Sequence, residues 1–179
     1  MRFAQVALVV LLLSPCALGD TPAAARAYVG VGDGGHYYFK ILPCLKNSSD
    51  LSCGSVRVYE VSDEGPDRPV WSASGWFAFS AYLSDDGKYL VRMGDWPGGS
   101  EPSDSDLAIA FYEDGKLLKQ YSTKQLIRDP SKVVRSVSHY QFLREVRGFQ
   151  PYTKMFTIVA VDGTEYTFDV RHGDIVREK

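Results

Sequence analysis

"LSDDGKYLVR" at residues 83–92 and "LAIAFYEDGKLLKQY" at residues 107–121 decide the fold of this chain. Each segment places an Asp-Gly pair between two runs of apolar, β-prone residues. A tight hairpin turn needs a positive φ, which glycine adopts freely and aspartate tolerates. The two segments therefore predict antiparallel hairpins, one turning at Gly87 and the other at Gly115.

Similar patterns occur along most of the chain. A third Asp-Gly pair, at Asp162 and Gly163, lies between two further β-prone runs. Residues 76–83 are apolar on both alternating faces, which predicts a central strand covered on both sides. Short β runs broken by glycine and aspartate are also found at residues 28–31, 36–42, 56–61 and 70–73.

A single short helix is expected after the second hairpin. Ser122 or Thr123 can cap a helical turn that runs through Ile127. Pro130 prevents this turn from continuing far, because the residue before a proline disfavours the helical conformation.

Residues 131–152 are less distinctive. Residues 133–134 and 136–142 have a strand-like composition, whereas Gly148 and Pro151 indicate a loop. Together with the hairpins, these patterns predict a mainly β fold with one short helix. Its antiparallel hairpins would form a compact sheet, a sandwich or a partial propeller-like domain.

Residues 82–121 resemble one blade of a β-propeller, with the two quoted segments as successive hairpins. The longer C-terminal run includes "STKQLIRDPSKVVRSVSHYQF" and "TIVAVDGTEYTFDVRHGDIV". It is similar to small exported bacterial proteins that have propeller-like hairpins and no assigned activity. The resemblance implies a fold and an exported location, and it brings no catalytic residues.

A complete propeller is excluded by length. At least four blades of about 40 residues each would consume the whole mature chain. Regular hairpin units are recognisable only in the second half of the sequence. The first half is therefore expected to belong to a compact antiparallel sheet or a sandwich.

The N-terminal residues have the pattern of an export signal. Arg2 precedes an apolar run that is too short to span a bilayer, and small residues end at Gly19. We therefore expect a signal peptide at residues 1–19, a flexible tether at 20–27 and a single β-rich domain at 28–179.

This organisation implies a secreted or periplasmic protein without a transmembrane segment in its mature chain. A lipid anchor at Cys16 is the alternative location signal, since a cysteine follows the apolar run. Pro15 disfavours that alternative, because lipid attachment normally requires a small, unconstrained residue before the cysteine.

Charge and cysteine content narrow the possible functions. The chain has 20 Lys and Arg against 22 Asp and Glu, with no basic block, which argues against a nucleic-acid surface.

Once Cys16 is removed, Cys44 and Cys53 remain and predict a disulfide in an oxidising compartment. A zinc site is disfavoured because two cysteines lack nearby partner ligands. The disulfide would stabilise the fold by about 2 kcal/mol.

Two motifs resemble ligand loops, and each has a simpler structural interpretation. Residues 30–35 match the glycine spacing of a dinucleotide loop, but a β-prone run follows them where a helix is needed, so a hairpin turn is preferred. Acidic residues Glu101, Asp104 and Asp106 could ligate calcium, but their spacing lacks the central glycine and distal acid of a calcium loop. We therefore expect no cofactor, no metal and an exposed loop at residues 97–106.

The histidines predict no catalytic residues. His36, His139 and His172 are far apart in sequence, and no nucleophile or zinc motif accompanies them. Ser138 and His139 make a poor dyad, because adjacent strand residues point to opposite faces. His172 is expected to be a turn residue.

Asp95 and Trp96 are the candidate binding residues, because they end the second strand of the first quoted hairpin and enter the acidic loop. Trp96 is a possible stacking surface, although aromatic residues more often fill a small β core. The sequence thus favours a non-enzymatic binding or interaction module of the cell envelope, whose partner would be an envelope protein or a saccharide. A small hydrolase with an unrecognised active site is the alternative function.

Overall fold

The structure is a computed structural model that describes residues 24–44, 50–95 and 97–179. The expected signal peptide, Cys16 and Trp96 lie outside the described residues. The described chain is mainly β, as expected, and its strands form three four-stranded antiparallel sheets and one two-stranded ribbon.

The three large sheets are meanders, in which each strand pairs with the next one along the chain. The first contains β1 (Tyr28–Val31), β2 (Tyr37–Leu42), β3 (Ser55–Glu60) and β4 (Arg68–Ser74). The second contains β5 (Ala81–Leu83), β6 (Tyr89–Met93), β7 (Leu107–Glu113) and β8 (Lys116–Ser122). The ribbon pairs β9 (Val134–Arg135) with β10 (Tyr140–Gln141), and the third sheet contains β11 (Leu143–Phe149), β12 (Met155–Ala160), β13 (Glu165–Asp169) and β14 (Asp174–Glu178).

The Asp-Gly turns form the expected hairpins. Gly87, Gly115 and Gly163 all have positive φ values, of 70°, 81° and 94°, and they join β5 to β6, β7 to β8 and β12 to β13. Asp114 also has a positive φ of 48°. The glycine-rich stretch at residues 30–35 leads from β1 into β2, as the preferred hairpin interpretation predicted.

Regular hairpins extend into the first half of the chain, which the sequence analysis did not anticipate. Strands β1 to β4 form a meander of the same kind as β5 to β8. The β1–β2 turn does contain an Asp-Gly pair, at Asp33 and Gly34, but the β3–β4 turn does not, so this pair does not mark every hairpin of the first half.

The second sheet is the middle layer of the molecule. Its strands alternate between two hydrophobic clusters, so that Leu90 and Tyr112 pack with the first sheet, while Val91 and Phe111 pack with the third. Because successive side chains in a strand point to opposite faces, a strand that is apolar at every position must be covered on both sides.

The prediction of a continuous strand over residues 76–83 was wrong. Only Ala81–Leu83 is a strand, since Gly75, with a φ of 90°, turns the chain out of β4. Trp76 and Phe77 are nevertheless buried, and their backbone amides donate to Gly54 O and Leu51 O outside the sheet ladders. The start of this apolar run is therefore a buried loop, which packs between the first and second sheets.

The helix prediction is confirmed. Helix α1 (Thr123–Leu126) begins at Ser122, whose hydroxyl accepts a hydrogen bond from the Gln125 amide while the Gln125 side chain accepts one from the Ser122 amide. A 3₁₀ turn at Pro130–Lys132 follows and is capped by Asp129.

The loop expected around Gly148 is instead part of strand β11. Gly148 has a φ of 80° and lies at a register shift in the β11–β12 pair. A bulge needs such a conformation and leaves the strand continuous, so a glycine there does not end the strand. Pro151 does lie in a turn, between β11 and β12.

Polar contacts join neighbouring sheets at their edges. The Trp71 indole of the first sheet donates to Gly87 O in the turn of the second, at 2.7 Å. The Tyr121 hydroxyl of the second sheet donates to Gly173 O beside the third, at 2.9 Å. These contacts are directional and therefore fix the angle at which the apolar faces meet.

Cys44 and Cys53 form the expected disulfide, which closes a loop with a sequence separation of 9. The loop links β2 to β3, and Asp50 orders its C-terminal end by accepting hydrogen bonds from the Ser52 amide and hydroxyl. Because the sulfur atoms are bonded to each other, neither is a thiolate that could bind a metal.

Phe111 provides a test of the doubly covered sheet. Its ring is fully buried and lies 5.0 Å from that of Phe168, so Phe111→Ala would leave a cavity between the second and third sheets. We expect a loss of about 3–5 kcal/mol in the free energy of unfolding, measured by urea denaturation. Leu117→Ala, at a half-exposed position of β8, should change it by less than about 0.5 kcal/mol. Equal losses in the two variants would contradict the packing described.

Candidate functional site

A concave groove lies where the second sheet meets the two-stranded ribbon and the start of the third sheet. Its volume is about 510 Å³, within the range of about 300–1,000 Å³ that is usual for ligand sites. The residues that line it are Phe79, Gly94, Asp95, Pro97, His139, Tyr140, Gln141, Phe142 and Leu143. We call this surface the Asp95 groove.

Asp95 is placed in the groove by a close approach of the chain after β6. The amide of Gly94 donates to Ala108 O at 2.7 Å. A Cβ atom on Gly94 would lie only 1.7 Å from Leu107 O, so this position requires glycine. This backbone contact holds the end of β6 against β7 and places Asp95 at the edge of the groove.

The Asp95 carboxylate is mostly buried and only partly neutralised. Its Oδ2 lies 3.4 Å from the Arg92 guanidinium. Among the described residues, the buried Oδ1 and the buried Arg92 Nε have no hydrogen-bond partner. Burial raises the pKa of the Asp95 carboxyl, and the nearby Arg92 charge offsets only part of that effect. Arg92 is itself held in place by the Trp76 ring, 4.8 Å from its guanidinium carbon.

The opposite rim is fixed by the ribbon. Gly98 pairs with His139 in an isolated antiparallel bridge, and the Tyr140 amide donates to Pro97 O at 3.3 Å. Burial raises the pKa of Tyr140 to about 12, so its hydroxyl stays protonated and donates to Asp106 at 2.8 Å.

The acidic loop is held by ion pairs and hydrogen bonds to different neighbours. Glu101 pairs with Arg135 at 2.9 Å, and Asp104 pairs with Lys124 at 2.7 Å. Asp106 accepts the hydrogen bond from Tyr140. The three acids considered for calcium therefore each contact a different protein partner.

The histidines occupy different parts of the molecule. His139 lines the Asp95 groove, whereas His172 lies in the turn before β14, as expected, with its Nδ1 3.9 Å from Asp169. The Ser136 hydroxyl contacts the His139 Nδ1. The Ser136 hydroxyl also accepts from the amides of Ser138 and His139, so it orders the turn between the ribbon strands.

The structure brings together two residues that the sequence analysis considered separately, Asp95 and His139. Trp96, the other candidate binding residue, lies outside the described residues. Sequence reasoning missed Phe79, Phe142 and Leu143, whose apolar side chains also line the groove. Phe79 is 37% exposed, an unusual environment for a large ring, but nothing in the local pattern distinguishes it from its buried neighbours.

The sheets and the groove define the class of this protein. It is a partial propeller-like β domain, made of consecutive four-stranded antiparallel meanders, with a concave groove beside the second sheet. Within the described residues, no helix is both long and apolar enough to cross a membrane.

The fold is similar to that of a solved structure. The solved structure entitled "Crystal structure of HIRA(644-1017)" matches 87% of this chain and 38% of its own, with a TM-score of 0.49 and 11% sequence identity. This chain thus spans well under two thirds of that protein. No protein-family model matches the chain, and no curated protein matches it significantly.

Asp95 provides a pH test of the groove. Because its pKa is raised above the ordinary value of 3.8, the folded protein retains the proton to higher pH than the unfolded chain does. This group therefore costs stability as the pH rises through its titration, and Asp95→Asn removes that cost. The stability of the variant relative to the parent should increase between about pH 3.5 and pH 6, measured by urea unfolding.

Asp169→Asn is the matched control, since hydrogen bonding to Arg171 lowers the pKa of Asp169. The stability of Asp169→Asn relative to the parent should fall as the pH rises from acidic values, whereas that of Asp95→Asn should rise. A flat or falling difference for Asp95→Asn would show that the carboxyl is not desolvated.

Proposed function

We propose that this protein is a non-enzymatic binding module that takes an apolar side chain of a protein partner into the Asp95 groove. The observation that supports this function is the groove itself, a cavity of ligand size lined mainly by apolar side chains. Concave, mostly apolar pockets with a few polar groups are typical of binding sites.

The lining favours a polypeptide over a saccharide. Sugars are held by several hydrogen-bonding groups around each ring, whereas this groove offers Phe79, Pro97, Phe142 and Leu143 over most of its surface. Apolar contact with a few polar groups suits an amino-acid side chain flanked by peptide groups. Asp95 would orient such a segment by accepting from one of its N–H groups.

The proposal is tested by NMR titration of the ¹⁵N-labelled protein with two probes. N-acetyl-phenylalanine methylamide represents a partner side chain with its peptide groups, and chitotriose represents a saccharide. We expect the peptide probe to shift the amide signals of Gly94, Gln141 and Leu143, and chitotriose to leave them unchanged. Phe79→Ser should weaken binding of the peptide probe about tenfold, because it removes an apolar side chain from the wall of the groove. Phe79 is already partly exposed.

Leu117→Ser is the control, because Leu117 is also exposed but lies on β8 and does not line the groove. It should leave the affinity for the peptide probe unchanged. If chitotriose alone shifts the groove signals, the ligand class is wrong. If neither probe shifts them, the groove is not the binding site.

A small hydrolase is the second candidate function, and the observation that favours it is the contact between the Ser136 hydroxyl and the His139 imidazole. A nucleophilic serine needs such a base within hydrogen-bond distance. If the protein is a non-enzymatic binding module, the same contact only stabilises the turn between β9 and β10. Stoichiometric labelling of the protein by a fluorophosphonate, abolished by Ser136→Ala, would favour the hydrolase and contradict the non-enzymatic function.

We further propose that the protein is exported, with residues 1–19 as a signal peptide, 20–27 as a tether and 28–179 as one domain. The disulfide between Cys44 and Cys53 supports this location, because such bonds persist in oxidising compartments. Mass spectrometry of the protein from its native compartment should find no free thiol at these two positions. Fatty-acid labelling that is lost in Cys16→Ala would replace free secretion by a lipid anchor.

A further inference from the structure

The outward face of the first sheet is a second exposed surface, distinct from the Asp95 groove. Its strands direct Phe39, Val56 and Val58 into the core. The alternate positions point away from the molecule, because strand side chains alternate between faces. They include Val29, Val31, Tyr38, Lys40, Arg57 and Tyr59, and we call this set the basic face.

The charged pair at its centre is unusual. Lys40 and Arg57 lie directly opposite each other in the β2–β3 register. Like charges in that arrangement destabilise a sheet. Within the part of the chain that the structure describes, neither has an acidic partner. By contrast, Lys119 on β8 pairs with Asp174, and Arg128, just after α1, pairs with Glu178.

Apolar and aromatic groups surround this pair. Val29 and Val31 on β1 are 58% and 63% exposed. Two positions along the strands from Lys40 and Arg57, the rings of Tyr38 and Tyr59 stack with centroids 5.1 Å apart. The register places each valine beside a member of β2, so that Val29 faces Lys40 and Val31 faces Tyr38.

A shallow cavity extends the face toward β4. Its volume is about 470 Å³, and Arg57, Tyr59, Pro69 and Val70 are among its lining residues. It lies at the register shift after Val58, where the β3–β4 pairing is interrupted. A bulge bends its strand and redirects the side chains beside it.

We infer that the basic face docks an acidic polypeptide segment that carries apolar side chains. Carboxylates of that segment would neutralise Lys40 and Arg57, and its apolar side chains would cover Val29 and Val31 and enter the cavity beside Tyr59. Charge complementarity sets the acidic character of the partner. The exposed valines favour a polypeptide over an anionic saccharide, because a sulfated or carboxylated sugar gains little from aliphatic contact.

The test uses fluorescence anisotropy with two labelled probes, an octapeptide of alternating Glu and Val and a heparin tetrasaccharide. The peptide should bind more tightly than the saccharide. Lys40→Glu combined with Arg57→Glu should weaken the peptide at least about tenfold. Val29→Ser combined with Val31→Ser should weaken binding of the peptide but leave binding of the saccharide unchanged.

The matched control is Lys132→Glu combined with Arg144→Glu, which reverses one exposed Lys and one exposed Arg outside the first sheet. This control should retain the affinity of the parent, and circular dichroism should show all variants folded. Equal affinity in the Lys40 and Arg57 variant and the control would overturn the inference. A preference for heparin would overturn the polypeptide assignment, and a dimer in gel filtration that Lys40→Glu disrupts would identify a second copy as the occupant.

Discussion

Burial of the second sheet on both faces is the constraint on which the rest of the structure depends. Strands β6 and β7 carry apolar side chains at successive positions, so the sheet they form is stable only between two other layers. The first and third sheets supply these layers. Each of them then needs only one apolar face, which leaves the opposite faces free for polar and interaction surfaces.

The position of the candidate sites follows from this layering. The Asp95 groove lies at one end of the middle sheet, where the chain leaves β6 and later returns through the ribbon into β11. Its walls therefore come from elements that the two hydrophobic clusters already hold in place. The basic face, in contrast, lies on the outward side of the first sheet, so the two proposed surfaces can be tested independently.

The sequence predicts those features of the fold that depend on local chemistry. The Asp-Gly turns require a positive φ wherever they occur, and the Ser122 cap needs only residues within one helical turn, so these elements could be identified directly. The burial of residues 76–78 was also evident, but their conformation was not. A loop and a strand that are both enclosed by other layers have the same apolar composition.

The candidate site could be predicted only in part, for the same physical reason. Asp95 was identifiable because an acidic residue ends a buried strand at the entrance to a loop. His139 and Leu143 are separated from it by more than forty positions, and they meet it through packing between sheets rather than through any sequence spacing. The raised pKa of Asp95 likewise depends on burial by residues distant in the chain.

Native-state hydrogen exchange tests the central claim most directly, because it measures the opening free energy of each strand. A sheet covered on both faces should exchange only through global unfolding, while outer strands open locally. We predict that the amides of Leu90, Val91 and Phe111 are the most protected in the protein, and that those of outer strand β4 exchange at least about tenfold faster. Equal protection of β4 and β7, or faster exchange in β7, would contradict the account.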